Sequence, residues 1–229
     1  MNHGLLNPLA PKYEHPMQQD VAIFHRSFGL PDLIGTPQAL PPDRVDLRTS
    51  LIREEGVVEL LSAASANGGA GDLIEIIDAL IDTIYVSLGG LVEMGHPVRR
   101  LSLTPLPLSK KLGVVDIAVR MQTAISRSLD SLEIALRAED EDRSVELFST
   151  IAVDSSIALR VMGVPPQPFF DEVQRANMSK LGLDGKPVHS RGLEIDGFPE
   201  GKVLKGPNYS PPNLARVYEE LIDADALHR

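Results

Sequence analysis

Residues 72–85 read DLIEIIDALIDTIY and place Glu75, Asp78 and Asp82 at i, i+3 and i+7 in an otherwise apolar run. A period of 3.6 sets the three on one helix face. Upstream, LIREEGVVEL (51–60) carries Glu54, Glu55 and Glu59, the last two at i, i+4, with Arg48 two turns earlier. From Glu54 to Val98 there are eight carboxylates and no Lys or Arg. Like charges at these spacings repel. Buried carboxylates without a counter-charge cost several kcal/mol each or take up protons. Either a distant basic segment covers them or cations do. Carboxylate oxygens on two facing helices are the donors that Mg²⁺, and also Mn²⁺, prefer. The chain has no cysteine and its histidines are scattered, which disfavours zinc. For any one of these residues a solvated helix face is the plain alternative. For the whole set, in so apolar a setting, a metal site is the stronger reading.

The elements that must hold this stripe are helical. Asp72 is an N-cap for a helix over 72–94 that stops at Gly95 and Pro97. A helix over 43–66 carries the upstream glutamates, and NGGAG (67–71) is the turn between the two. A shorter helix is expected over 18–28, with Asp20 as its cap, after an irregular arm over 1–16. Ala118, Met121, Ile125, Leu129, Leu132 and Leu136 recur at steps of three and four and predict an amphipathic helix over 114–138. Further helices are expected over 144–162, 169–181 and 213–226. KPVHS and KVLKG are candidate short strands in a Gly- and Pro-rich stretch over 182–212. The fold expected is therefore all-α, within one domain of 229 residues.

Composition narrows the function. A net charge of −10 argues against a nucleic-acid partner. No apolar run reaches transmembrane length and no signal peptide is visible, so a cytoplasmic protein with no membrane partner is expected. Hydrophobic residues make up 43% and aromatics 4%, so the core must be aliphatic. The positive charge missing from 54–98 returns later. RANMSK offers Arg175, Asn177 and Lys180; GKVLKGPNY offers Lys202 and Lys205 among glycines. Lysines act as point charges on phosphates, and glycines let a backbone approach closely.

LRTSLIREEGVVEL, DALIDTIYV, RANMSKLGLDGKP and GKVLKGPNYSPPNL together resemble the all-α nucleoside triphosphate pyrophosphohydrolase superfamily, nearest its MazG-like and phosphoribosyl-ATP pyrophosphohydrolase-like branch. DVAIFHRSFGLP resembles that branch's N-terminal helix. The resemblance covers about 18–95 and 157–214. It implies a four-helix-type core, with 96–156 as an inserted helical pair that packs or dimerises, and a Gly/Pro-rich C-terminal segment with little strand. It further implies hydrolysis of a nucleoside triphosphate, or a related nucleotide such as phosphoribosyl-ATP, between the α- and β-phosphates, in a homodimer or higher homo-oligomer.

Residue by residue, the resemblance implies metal ligation by Glu55, Glu59, Glu75 and Asp78, with Asp82 completing or orienting the shell. Glu54 or Glu55 would take a proton from water, and Arg48 and Lys180 would stabilise phosphate charge. Asn177, Lys180 and Arg175 would bind phosphates, and Lys202 and Lys205 would close over the substrate. Tyr85, at i+3 from Asp82, could line the pocket, with core packing the stronger reading. One departure stands out: the family's run is E-E-x-x-E-L, whereas this chain has E-E-G-V-V-E-L. Either one residue is inserted, with Gly56 marking a π-bulge that absorbs it, or Gly56 replaces the second glutamate. A nucleotide-binding sensor without turnover, and a helical module whose acidic stripe meets a basic partner, are the two other readings.

Overall fold

The computed structural model describes residues 13–99, 112–188 and 203–227. Within them the chain is helical: α1 (Pro16–Ser27), α2 (Pro42–Arg53), a π-helical segment (Glu54–Glu59), α3 (Leu60–Gly69), α4 (Leu73–Met94), α5 (Val114–Arg137), α6 (Glu141–Val161), α7 (Pro166–Met178) and α8 (Leu214–Leu227). The expected all-α fold is what forms. Of the candidate strands, the described part contains one bridge residue, Val203, next to the Leu204 N–H that donates to the Val188 carbonyl at 2.7 Å. The rest of those stretches, like most of the N-terminal arm, lies outside the described residues.

Helix α4 is the axis of the molecule and packs on α1, α2, α3, α6, α7, α8 and the π-segment. Asp72 caps it by accepting from the Ile74 and Glu75 N–H groups. Gly95 ends it at φ 75°, where a side chain would strike the Leu33 carbonyl. Its C-terminal half is buried on all sides, and Phe148 of α6 fills the space a Cβ on Gly90 would need. The acidic stripe occupies the N-terminal half, opposite the π-segment.

Helices α5 and α6 are part of the same core. The α5 stripe Ala118, Met121, Ile125, Leu129, Leu132 and Leu136 is buried, with α5 resting on α2, the π-segment, α3 and α6. Helix α6 in turn lies along both α4 and α5. What covers the amphipathic stripe is thus the chain itself. No single described helix is long and apolar enough to cross a membrane; α6 and α7 pass that test only as a pair bent by 120°.

Candidate active site

The extra residue in EEGVVEL is absorbed by a π-helix over Glu54–Glu59, flanked without interruption by α2 and α3. Such i→i+5 turns take one residue more than an α-turn and favour functional sites. Gly56 is buried at its centre, where a Cβ would sit 2.8 Å from Ile125 Cγ2 and 3.0 Å from Thr83 Oγ1. Glycine there lets the π-segment approach both α4 and α5. In this register Glu55 turns toward Glu59 and Asp82, while Glu59 also faces Asp78.

The cluster is a half-open trough. Glu55, Asp78 and Asp82 are half-buried; Glu54, Glu59 and Glu75 form an exposed rim. Burial, then the charges of Asp82 and Glu59, pushes the Glu55 carboxyl up to about 9. Burial and Asp78 raise Asp82 to about 7, against the opposing pull of Lys180. Burial, Glu75 and Glu59 raise Asp78 to about 6. Asp78 Oδ1 is buried with no hydrogen-bond partner. Among the described residues none of Glu54, Glu55, Glu59, Glu75 or Asp78 makes an ion pair.

An orphaned carboxylate oxygen amid hard oxygen donors of one sign fits a divalent cation such as Mg²⁺. No three His, Cys, Asp or Glu groups among the described residues converge as they stand. The exposed Glu59 and Glu75 are the cluster residues that would have to turn inward to close a metal shell.

A folded state that holds protons the unfolded chain has released loses stability as pH rises. The three raised carboxyls act in this sense, up to about pH 9 for Glu55. His25 acts in the opposite sense. Burial and Arg48 depress it to about 3, so its penalty appears only below the ordinary histidine value of about 6.5. Between about pH 6.5 and 9 the carboxyls are left unopposed. The metal-free protein is expected to melt at progressively lower temperature across that window, and saturating Mn²⁺ is expected to flatten the trend. Thermal melts in chelator check this; a flat or rising metal-free profile would contradict the cluster.

Arg48 is corrected. Its guanidinium binds Glu93, with Nε at 3.0 Å, and donates to His25 Nε2 at 3.1 Å, rather than serving the cluster. His25 Nδ1 donates to the Pro31 carbonyl at 2.6 Å, so Nε2 is the acceptor. Arg44 joins the same carboxylate. The missing side chain of Gly89 makes the room, since a Cβ there would overlap Arg48. This buried clamp fastens α2 to α4 and so sets where the π-segment begins. Glu93→Ala leaves Arg48, 5% exposed, without its counter-charge and is expected to cost about 3–5 kcal/mol in urea unfolding. A loss under 1 kcal/mol would deny the clamp.

Arg175 is held by its neighbours. It makes a two-pronged pair with Glu172, at 2.8 and 2.9 Å, and donates to the Pro211 carbonyl at 2.9 Å. Together with the Asn213 N–H on Glu172, this docks the start of α8 against α7. Lys205 lies over the Tyr209 ring, 4.5 Å from its centre. Lys202 lies outside the described residues. Lys180 opposes the rise of Asp82, and Asn177 accepts from its ammonium at 2.6 Å. Gly206 brings the 203–212 segment against this place: its N–H donates to the Lys180 carbonyl, and a Cβ would sit 2.7 Å from that oxygen. A cavity of about 410 Å³ opens between α2, the π-segment and α5, but shares only Glu54 with the cluster. Its Arg137 is already paired with Asp46 and Glu133.

Residues 21–102 match the family model described as Phosphoribosyl-ATP pyrophosphohydrolase. The resemblance to the all-α nucleoside triphosphate pyrophosphohydrolases is thus borne out over the stretch from α1 through α4. The match supports pyrophosphohydrolase chemistry in general. A solved structure from Exiguobacterium sp. 255-15, of a protein named provisionally as an NTP pyrophosphohydrolase, is 25% identical over 94% of this chain and 99% of that one, with a TM-score of 0.45. That overlap is too loose to carry residue roles across. No curated protein matches the chain.

Proposed function

We propose that the chain is a Mg²⁺-dependent hydrolase that cleaves a nucleoside triphosphate, or a related nucleotide, between the α- and β-phosphates. The observation that carries this is the carboxylate cluster, unneutralised except at Asp82, on the segment that matches the pyrophosphohydrolase family. Glu55, Glu59, Glu75, Asp78 and Asp82 would hold Mg²⁺ or Mn²⁺. When bound, the cation would neutralise phosphate oxygens and acidify water. Glu55 or Glu54 takes the proton from the attacking water. Lys180 meets developing charge on the phosphates, and the Gly206 segment with Lys205 would cover them. The products are a nucleoside monophosphate and pyrophosphate.

The test is pyrophosphate release from the common NTPs and dNTPs and from phosphoribosyl-ATP, with and without Mg²⁺ or Mn²⁺. Metal-dependent release from one or a few of them supports the reading. The second reading, a nucleotide-binding protein without turnover, draws on the fact that no three described carboxylates converge. Metal-dependent binding of nucleotide with no release would favour it.

A further inference from the structure

Residues 206–213 lie along one face of α7 in the opposite sense, held through their backbone. The Gly206 N–H donates to the Lys180 carbonyl at 3.1 Å. The Ser210 N–H donates to Ser179 Oγ at 2.9 Å. The Pro211 carbonyl accepts from Arg175 Nη2 at 2.9 Å, and the Asn213 N–H donates to Glu172 Oε1 at 2.8 Å. The partner thus moves back along α7 as the segment runs forward. Glu172, Arg175 and Ser179 stand at i, i+3 and i+7, which is one helix face. Pro207, Pro211 and Pro212 bring no N–H and fix their own φ. The Tyr209 N–H closes a turn on the Gly206 carbonyl at 3.0 Å.

The segment is therefore a stiff strap, and one end of it bears a cation. Lys205 precedes Gly206, and its Nζ stands 4.5 Å from the centre of the Tyr209 ring. The turn over 206–209 brings the two together. Tyr209 is half-buried and Lys205 exposed. No carboxylate among the described residues pairs with Lys205. The ammonium rests on the ring, whose electron-rich face attracts a cation. A lysine head on a four-carbon stem has much freedom to lose. A ring fixed by the strap limits that freedom, and α7 fixes the strap beside Lys180.

We propose that Tyr209 is a positioning residue that holds the Lys205 ammonium, on a strap that Glu172, Arg175 and Ser179 fasten to α7. Tyr209 acts through Lys205 and touches no reacting atom. The catalytic consequence rests on the phosphate-site reading above. The contact between ring and ammonium stands on its own geometry.

Two measurements on the full chain separate these. Carbon–proton NMR of lysine-labelled protein, without metal or nucleotide, reads the contact, with the Lys205 ε-methylene signal assigned by its loss in Lys205→Met. The ring current is expected to displace that signal upfield in the wild type and in Tyr209→Phe, which keeps a ring. Tyr209→Leu is expected to return it to the ordinary lysine position. A wild-type signal at the ordinary position, or a displacement that survives in Tyr209→Leu, overturns the proposal.

Pyrophosphate release reads the consequence. Tyr209→Leu is expected to lower kcat/KM about fivefold, chiefly through KM, and Tyr209→Phe to recover the loss. In the Lys205→Met background Tyr209→Leu is expected to add nothing. Losses that add in the double variant, an undiminished kcat/KM in Tyr209→Leu, or no recovery in Tyr209→Phe overturn the proposal. A wild type that releases no pyrophosphate from any nucleotide removes the phosphate-site reading instead, and the ring-current displacement still decides the contact.

Discussion

The double variant Glu75→Gln/Asp78→Asn is expected to lose at least about a hundredfold in turnover and to melt at or above the wild-type temperature in metal-free buffer. The two effects have one cause. Asp78 is half-buried, faces the charges of Glu75 and Glu59, and has an oxygen with no hydrogen-bond partner. In the absence of a cation its charge opposes folding. Amides of the same size remove the repulsion and also the hard anionic donors that a divalent cation needs. Full turnover in the variant would show that the site is misplaced. A lower melting temperature would show that these carboxylates hold the fold together, as an ordinary structural pair would.

Gly56→Val is expected to cost about 2–3 kcal/mol of stability and to depress turnover with it. The new Cβ would meet Ile125 Cγ2 at 2.8 Å, closer than packed Cβ atoms come, and Thr83 Oγ1 at a tight 3.0 Å. Relief requires α5 or α4 to back away from the π-segment, and α4 carries half of the cluster. The gain in helix propensity from removing a glycine is smaller, at most about 1 kcal/mol. Deleting Val58 is the informative counterpart. Val58 is 60% exposed, so its loss leaves the core intact. The run then reads E-E-G-V-E-L, with Glu55 and Glu59 three apart in an ordinary α-turn. If the π-helix exists to absorb the extra residue, the deletion keeps the cluster and most of the turnover. If turnover collapses in the deletion while urea unfolding is unchanged, the π-register itself is what the chemistry needs.

Much of the fold was legible because its signals are local. Asp72 and Gly95 bound α4 by capping chemistry, and the α5 stripe announces its buried face by its period. The π-segment was legible from one surplus residue and a glycine where a helix should not want one. The carboxylate cluster showed in the absence of any Lys or Arg between Glu54 and Val98. The partner of Arg48 was hidden, because Glu93 lies 45 residues away and the space for the guanidinium is made by Gly89 on another helix. Arg175 is different: Glu172 stands three residues before it, and an i, i+3 pair was there to be read. Gln174 carried no signal, since it accepts from Tyr85 of α4 and donates to the Asp20 carbonyl of α1 only once the three helices are brought together.

The central claim is that a cation and a triphosphate meet between the π-segment and α4. The most direct measurement is a crystal soaked with Mn²⁺ and a nucleotide blocked between its α- and β-phosphates, examined for anomalous scattering. The expected result is a Mn²⁺ peak among Glu55, Glu59, Asp78 and Asp82, with the phosphates between it and Lys180. A peak elsewhere, or nucleotide phosphates bound away from Lys180 with the cluster empty of metal, would contradict it.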